Sequence, residues 1–305
     1  MGGCASELIV RARGRRLKLT NLDKVFWPAL GLTKGHLLHY YLQVAPVLVP
    51  HLRDRPMVLR RYPDGVDGAS FFMKRVPTPR PEWLVTHRVR HADGARTEVP
   101  LIQDPLALLW CVNLGCIDLN PWSARIDALE QPDVLYFDLD PGDGVPFAVT
   151  RQAALVVRDV LTTLRMTAHV KTSGSRGMHV AVPLVRGPTH AAVQAFARAV
   201  ATEIAQRHPR LFTVTYARAR RPPGRVLLDY NQNGRGKTLA SVYSVRPHPR
   251  AAVSTPLTWA EVERGCRLED HRMGTVPARL ARRGDLWRPL LRSRGRVDLA
   301  RWRPS

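Results

Sequence analysis

The stretch DVLYFDLDPGDG, residues 133–144, decides how the rest of the chain is read. An apolar run leads into two aspartates one residue apart, and Pro141-Gly142 ends it. Side chains of a strand alternate between faces, so Asp138 and Asp140 point the same way, with Tyr136 and Val134 behind them. Leu135, Phe137 and Leu139 cover the opposite face. Two carboxylates on one face of a buried strand repel each other unless a cation sits between them. Their oxygens select hard divalent ions such as Mg²⁺ or Mn²⁺. The competing reading is a solvated turn followed by an Asp-capped helix, because the DxD pattern also occurs in nucleases, glycosyltransferases and plain turns.

At 305 residues and 45% hydrophobic content the chain can bury a substantial core. Charge is its unusual feature: 47 Lys+Arg against 25 Asp+Glu give +22. Such an excess favours a polyanion partner, since neutralised phosphates release counterions. The basic residues are scattered through the elements, which places them on a charged face of a folded body. Cys4, Cys111, Cys116 and Cys266 have no paired zinc-site spacing. Cys111 and Cys116 read as apolar packing residues, and the cysteine usage as that of a reducing cytoplasm with no structural disulfide. The start MGGCAS matches an acylation pattern by chance. No apolar run reaches the ~18 residues of a membrane span, so no membrane association is expected.

Along the chain, Thr33 reads as the N-cap of a helix with an apolar stripe of Leu37, Leu38, Tyr41, Leu42 and Ala45, ended or kinked by Pro46 and Pro50. A short strand, PMVLRRYPDG, precedes a loop holding Phe71 and Phe72, one of which turns inward. Asp104-Pro105 opens a further helix. After Gly144 a helix from about 147 to 164 presents Ala153, Val156, Val157, Val160 and Leu164. HVKTSGSRGMHVAVPL reads as two strands around a glycine-containing turn. Thr189 then starts a helix that turns Val193, Phe196, Ala197, Val200 and Ile204 inward. VLLDY and LASVYSV form a β-hairpin around NQNGRGKT. Thr258 and Glu261 make a capping box stopped by Gly265. The basic C-terminal forty residues wrap the body. The fold class is α/β with mixed sheets in one catalytic unit of two lobes, a central sheet carrying the aspartates between flanking helices.

Asp229 is a lone carboxylate in an apolar strand and calls for a partner, either a metal shared with Asp138 and Asp140 or an arginine. Two loops beside these strands offer hydroxyls, cations and open backbone N–H groups: Ser173 to Gly177, with His179 just beyond, and Asn233 to Lys237. GKT at 236–238 is not a P-loop, because the required first glycine falls at Asn231 and the loop opens no helix.

The ordered motifs TNLDKVFWP, TKG, RRYPDGVDG-x-FF, NLGCIDLNPW, FDLDPGDG, KTSGSRGMHV, LLDYNQNGRGKT and YSVRPHP resemble the polymerase domain of bacterial DNA ligase D, a primase-polymerase fold. The resemblance runs from about residue 17 to 290, and IDLNP with DYNQN is most like the stand-alone paralogues of that domain. It implies that Asp138, Asp140 and Asp229 are the metal-binding carboxylates of a two-metal nucleotidyltransferase using Mn²⁺ or Mg²⁺. Ser173, Arg176, Gly177 and His179 match the segment that holds the incoming triphosphate. Gln232, Lys237 and Arg246 fall where the family contacts nucleotide or metal-bound phosphate. Asn21, Lys24 and Lys34 match a pocket for a downstream 5′-phosphate. Lys34, next to Thr33, places its ammonium beside exposed helix N–H groups. Phe71 or Phe72, with Arg61, matches a template-stacking platform. Arg176 stands where lysine is common, and Asn120 where ligase-linked members carry histidine.

The implied organisation is a single domain over 1–305: 1–130 carrying the DNA contacts, 131–265 the catalytic core, and 266–305 the C-terminal wrap. The implied function is template-dependent addition of NTPs or dNTPs, ribonucleotides preferred, to primers at gapped or broken duplex DNA. It takes place in the bacterial cytoplasm at the nucleoid, with Ku and a separate DNA ligase as partners. A catalytically weak DNA-end-binding module and a metal-dependent nuclease are the rival classes; the nuclease leaves the KTSGSRG and NGRGKT loops unused.

Overall fold

The computed structural model describes residues 7–73, 75–91 and 94–302, the side chain of Arg301 excepted; Cys4 and the start MGGCAS lie outside the described residues. The chain opens with the hairpin β1 (Leu8–Ala12) and β2 (Arg15–Leu19), followed by the short pair β3 (Val25–Trp27) and β4 (Leu32–Thr33). Thr33 caps α1 (Lys34–Leu52) in a reciprocal box with His36. Of the two outcomes expected of Pro46 and Pro50, neither proline ends the helix: α1 continues through both. Each proline removes one helical N–H, but Val44, Leu48, Val49 and Leu52 are buried and hold the last turns on the core. Leu37, Leu38, Tyr41 and Ala45 are buried as expected, whereas Leu42 lies beyond the edge of the stripe and is 51% exposed.

β5 (Met57–Arg61) pairs with β6 (Phe71–Met73), so the two phenylalanines stand on a strand where the sequence reading has a loop. β7 (Thr86–Arg90) and β8 (Arg96–Pro100) form a separate hairpin. Asp104 then caps α2 (Pro105–Asn113) by accepting from the Ala107 N–H, and β9 (Cys116–Pro121) joins the other edge of β5.

The DxD strand is β10 (Val134–Pro141), and α3 (Phe147–Thr163) follows it. Then come β11 (His169–Thr172), β12 (Met178–Pro183), α4 (His190–Arg207), β13 (Phe212–Thr213) and β14 (Val226–Asp229). β15 (Pro256–Leu257), α5 (Trp259–Arg264) and α6 (Val276–Arg283) complete the set. The central sheet runs β13-β14-β10-β12-β11-β15, antiparallel throughout except for the β13–β14 pair. Period-two alternation decides its two faces. Leu135, Phe137 and Leu139 join Val180, Val182 and Leu228 in a core under α3 and α4. Val134 and Tyr136 face a second core built on α1, α2, β5 and β9. The last residues cross both: Trp287 and Leu290 pack in the second core and Leu299 in the first.

Two further expectations are corrected. Residues 239–245 make no hairpin with β14, because β14 already lies between β13 and β10 and has no free edge. The segment instead docks on β9, with the Ser241 N–H donating to Leu119 O and the Leu119 N–H to Ser244 Oγ. On α3 the buried face centres on Ala153, Val157 and Leu161, and Leu164, just past the helix end, is 45% exposed.

Where β10 begins, Asp133 is buried between two guanidiniums, Arg55 at 2.6 Å and Arg125 at 3.2 Å. Burial raises its carboxyl pKa, but Arg55 and Arg125 outweigh burial and hold it below the ordinary carboxylate value. Removing one partner of a buried pair strands the other charge. Asp133→Ala is therefore expected to lower unfolding stability by about 3–5 kcal/mol in urea titrations at neutral pH. The contribution is present above the unfolded aspartate value of about 4 and is lost as pH falls through the lower folded value, so the difference between wild type and variant should shrink in acid.

Candidate active site

Strand register brings the polar residues of the central sheet into one row. Asp229 pairs with Asp138 across β14 and β10, Asp138 with His179 across β10 and β12, and His179 with Lys171 across β12 and β11. Neighbouring strands lie roughly 4.7–4.9 Å apart, so the four side chains stand side by side on the face away from α3 and α4. Asp140 shares that face two residues further along β10. Burial, then the charges of Asp229 and Asp140, push the Asp138 carboxyl up to about 7. His179 Nε2 lies 3.3 Å from Asp138 Oδ1, and Lys171 Nζ lies 2.7 Å from His179 Nδ1. Burial pushes both bases well below their ordinary values.

Each remaining carboxylate is held by its own donors. Asp229 accepts from Tyr216 Oη at 2.8 Å, the Asn231 N–H at 2.7 Å and Gln232 Nε2 at 2.9 Å. Asp140 accepts from Arg221 at 3.1 Å. Among the described residues, no three His, Cys, Asp or Glu side chains are already gathered into a metal cage. The donor set nevertheless fits a hard cation. It is all carboxylate oxygen, and the mutual repulsion that raises Asp138 is what a divalent ion would relieve. Sequence reasoning missed Tyr216 and Arg221, which lie in an aperiodic segment, and the role of Lys171 within KTSGSRG. For Lys171 the signal was present: like Asp229, it is a charged residue inside an apolar strand.

Two loops close around the row. Asn233, fully buried, clamps the loop after β14 onto β10, accepting from the Tyr136 N–H and donating to Tyr136 O, both at 2.8 Å. In the turn after β11, Ser173 Oγ accepts from the N–H groups of Ser175 and Gly177. Gly177 passes so close to β10 that a Cβ there would stand 2.3 Å from Leu139 O. The turn borders a cleft of ≈ 280 Å³ where Ser173, Arg176, Gly177, His179 and Arg246 meet Asp138 and Asp140. Arg246 Nε is buried there without a partner. Arg176 reaches Asp143 at 3.0 Å. Gln232 is drawn onto Asp229, and with Lys237 it lines a small adjoining cavity.

A second cluster forms at the start of α1. The Lys24 N–H donates to Asn21 O, and Lys34 Nζ donates to Thr20 O at 2.7 Å. Burial, then Arg61 and Lys24, lower the Lys34 pKa to about 8. The expected exposed helix N–H groups are absent among the described residues. Those of Lys34, Gly35 and His36 donate to Lys24 O, Leu22 O and Thr33 Oγ1. Lys24 itself pairs with Asp64 at 2.7 Å. Phe71 and Phe72 are both exposed, and neither turns inward. Each lies opposite an arginine in register, with the Arg61 guanidinium 5.5 Å from the Phe71 ring and that of Arg60 5.4 Å from Phe72.

A family model described as "LigD, primase-polymerase domain" matches residues 33–287. The chain belongs to this family. Primase-polymerase domains of LigD are DNA-directed nucleotidyltransferases and use divalent metal. Similar proteins include the multifunctional non-homologous end joining protein LigD of Mycolicibacterium smegmatis, 36% identical over 91% of this chain and 36% of that protein. The corresponding LigD of Mycobacterium tuberculosis H37Rv is 34% identical over 93% of this chain and 37% of that protein. The chain thus spans about a third of the length of these relatives. The polymerase domain of Mycobacterium tuberculosis ligase D in complex with DNA superposes with a TM-score of 0.85 at 34% identity, covering 90% of this chain and 98% of that one. The shared fold accounts for the mixed sheet.

Gly177→Ala tests how tightly the turn is held against β10. Its methyl group must displace a backbone carbonyl, so a loss of about 1–3 kcal/mol is expected from strain. Urea unfolding measures it; a wild-type midpoint would mean that the turn is free to move.

Proposed function

We propose that this primase-polymerase domain adds nucleotides, ribonucleotides in preference, to primers at short gaps or double-strand breaks in DNA. The observation that carries this reading is the row Asp229–Asp138–His179, bordered by a loop of hydroxyl, amide and guanidinium donors. Asp138, Asp140 and Asp229 are its metal ligands. Bound Mn²⁺ or Mg²⁺ would lower the pKa of the primer 3′-OH and neutralise charge developing on pyrophosphate. Ser173, Arg176, Gly177, His179 and Arg246 hold the triphosphate in line with the primer end, and Gln232 and Lys237 flank it. Arg246 has a buried N–H without a protein acceptor, which a phosphate oxygen would satisfy. The protein's contribution is positioning and charge neutralisation.

The decisive experiment is extension of a labelled primer on a gapped duplex with Mn²⁺ and either NTPs or dNTPs. Asp138→Ala and Asp229→Ala should each abolish extension while DNA binding persists. Extension near the wild-type rate by either variant would overturn the carboxylate assignment. A wild type that binds and bridges ends without extending them would make the chain an end-binding module, and shortened products would make it a nuclease. In the extended reading the chain works in the bacterial cytoplasm, at the nucleoid, with Ku at the break and a separate ligase sealing it. No helix among the described residues is long and apolar enough to cross a membrane.

Asn21, Lys24 and Lys34 form the downstream 5′-phosphate pocket, and Phe71 or Phe72, with Arg61, stacks on the template at the junction. Support comes from the convergence of three cations: Arg61 and Lys24 both depress the Lys34 pKa, and an anion between them would relieve that repulsion. A terminal phosphomonoester, at about −1.5 to −2, answers this better than an internal diester. Wild type should therefore prefer a gap bearing a 5′-phosphate over a 5′-hydroxyl, and Lys24→Ala/Lys34→Ala should lose the preference. Lys34 is charged below its pKa of about 8 and neutral above it, so the preference should weaken as pH rises through that value. Equal binding of both gaps by wild type, measured at near-physiological salt, would remove the pocket.

A further inference from the structure

We propose that Arg235 is a positioning residue for nucleotide addition: it latches the loop carrying Gln232 and Lys237 onto three other parts of the fold. The role of that loop rests on the proposed function, and the latch itself on geometry. Arg235 Nε donates to Glu130 Oε1 and Oε2 at 2.9 and 2.8 Å. Its Nη2 donates to Glu130 Oε1 at 2.7 Å and to Arg90 O at 2.8 Å. The guanidinium carbon stands 5.5 Å from the centre of the Trp122 ring. Glu130 lies in the turn before β10, Arg90 ends β7, and Trp122 follows β9. Four separate stretches of chain therefore meet at one guanidinium.

The contact holds the second half of the loop. The first half is fixed elsewhere, Asn233 by the backbone of Tyr136 and Asn231 by Gln194 at 2.9 Å. Beyond them the chain is laid on Trp122, which is 6% exposed. Gly236, at φ +77°, runs so near the indole that a Cβ would stand 3.4 Å from it, and Thr238 bridges the Trp122 backbone. Lys237 stands between these two residues. Its ammonium has no ion pair or hydrogen bond among the described residues, so the backbone beneath it sets its direction. The bond to Arg90 O also ties down the β7–β8 hairpin, a two-stranded sheet of a kind that is marginal alone. Arginine alone suits this junction. Its planar fork meets both carboxylate oxygens, keeps a donor for the carbonyl and lays a flat face on the indole, whereas an ammonium is a point charge. Hydrogen bonds from Arg235 are also the leading reason that the Glu130 carboxyl lies below its ordinary value.

Primer extension by the full chain on a gapped duplex, with Mn²⁺ and the nucleotide concentration varied, tests the latch. Arg235→Ala should raise KM for nucleotide about 3–10-fold and leave kcat within about twofold, because a loosened loop lowers the fraction of chains ready to bind. Glu130 lies outside the cleft. Glu130→Gln should nevertheless raise KM in the same direction, and the double variant should be no worse than Arg235→Ala, since both changes break one contact. Arg235→Lys should resemble Arg235→Ala. Were Arg235 instead a direct phosphate contact, Glu130→Gln would free it, so KM would fall or stay, and lysine would keep most of the affinity. Either result overturns the proposal. Amide exchange read by mass spectrometry is independent of turnover: segment 231–238 should exchange faster in Arg235→Ala and Glu130→Gln, with the central sheet unchanged. Wild-type exchange there in both variants would remove the latch. If the wild type extends no primer, the proposed function fails, and the exchange measurement still decides the latch.

Discussion

The register of β14, β10, β12 and β11 is the constraint on which the site depends. A slip of one residue in any of these strands would send its polar side chain to the face packed by α3 and α4. Apolar alternation prevents it: Leu135, Phe137 and Leu139 are completely buried, and moving them would expose the core under both helices. Two local devices reinforce the register. Asn233 grips both backbone groups of Tyr136, and Gly177 lets the turn after β11 lie against Leu139. The same forces that fold the sheet therefore set the spacing of the carboxylates.

That spacing is electrostatically unfavourable by itself. Asp138, Asp140 and Asp229 share one face, and the first is pushed up to about 7 by burial and by the other two. The fold offsets the repulsion piecewise, with Tyr216, Asn231 and Gln232 on Asp229, Arg221 on Asp140, and His179 backed by Lys171 on Asp138. A chain of net charge +22 can therefore draw a polyanion to its surface and still keep carboxylates clustered at its centre. Screening lengths near 8–10 Å at ordinary salt keep the two fields distinct for solvent-exposed charges.

How much could be read beforehand depends on whether a residue's role follows from periodicity. Alternation in β10 gave the faces of Asp138 and Asp140, and caps at Thr33, Asp104, Thr189 and Thr258 located four helix starts. Asp229 was legible as a carboxylate misplaced in an apolar strand. The hairpin expected over 226–245 failed because pattern says nothing about which sheet edges are free, and β14 has none. Phe71 and Phe72 escaped the rule that one of two adjacent strand residues turns inward, since arginines of β5 flank both rings. Tyr216 and Arg221 were illegible for a different reason. Their segment, TYARARRPPG, has no period, and only the fold returns it to the carboxylates.

On the proposed reading, the row lets one cleft take two oppositely charged groups. At one end Asp229, Asp140 and Asp138 present oxygen to a cation. Past His179 lie Lys171 and the donors of the 173–177 turn, with Arg246, whose buried Nε lacks a partner, adjoining both ends. In a site sheltered from water, unlike charges a few ångströms apart interact several times more strongly than in bulk solvent. A metal–triphosphate pair, positive at one end and negative along its length, matches that gradient in a way that neither a free cation nor a free anion does. His179 sits at the crossover, its ring between Lys171 and Asp138, and burial pushes its pKa well below the ordinary value. A register that merely stacks polar residues thus sets carboxylates beside cationic donors, the arrangement that the proposed metal-bound triphosphate would need.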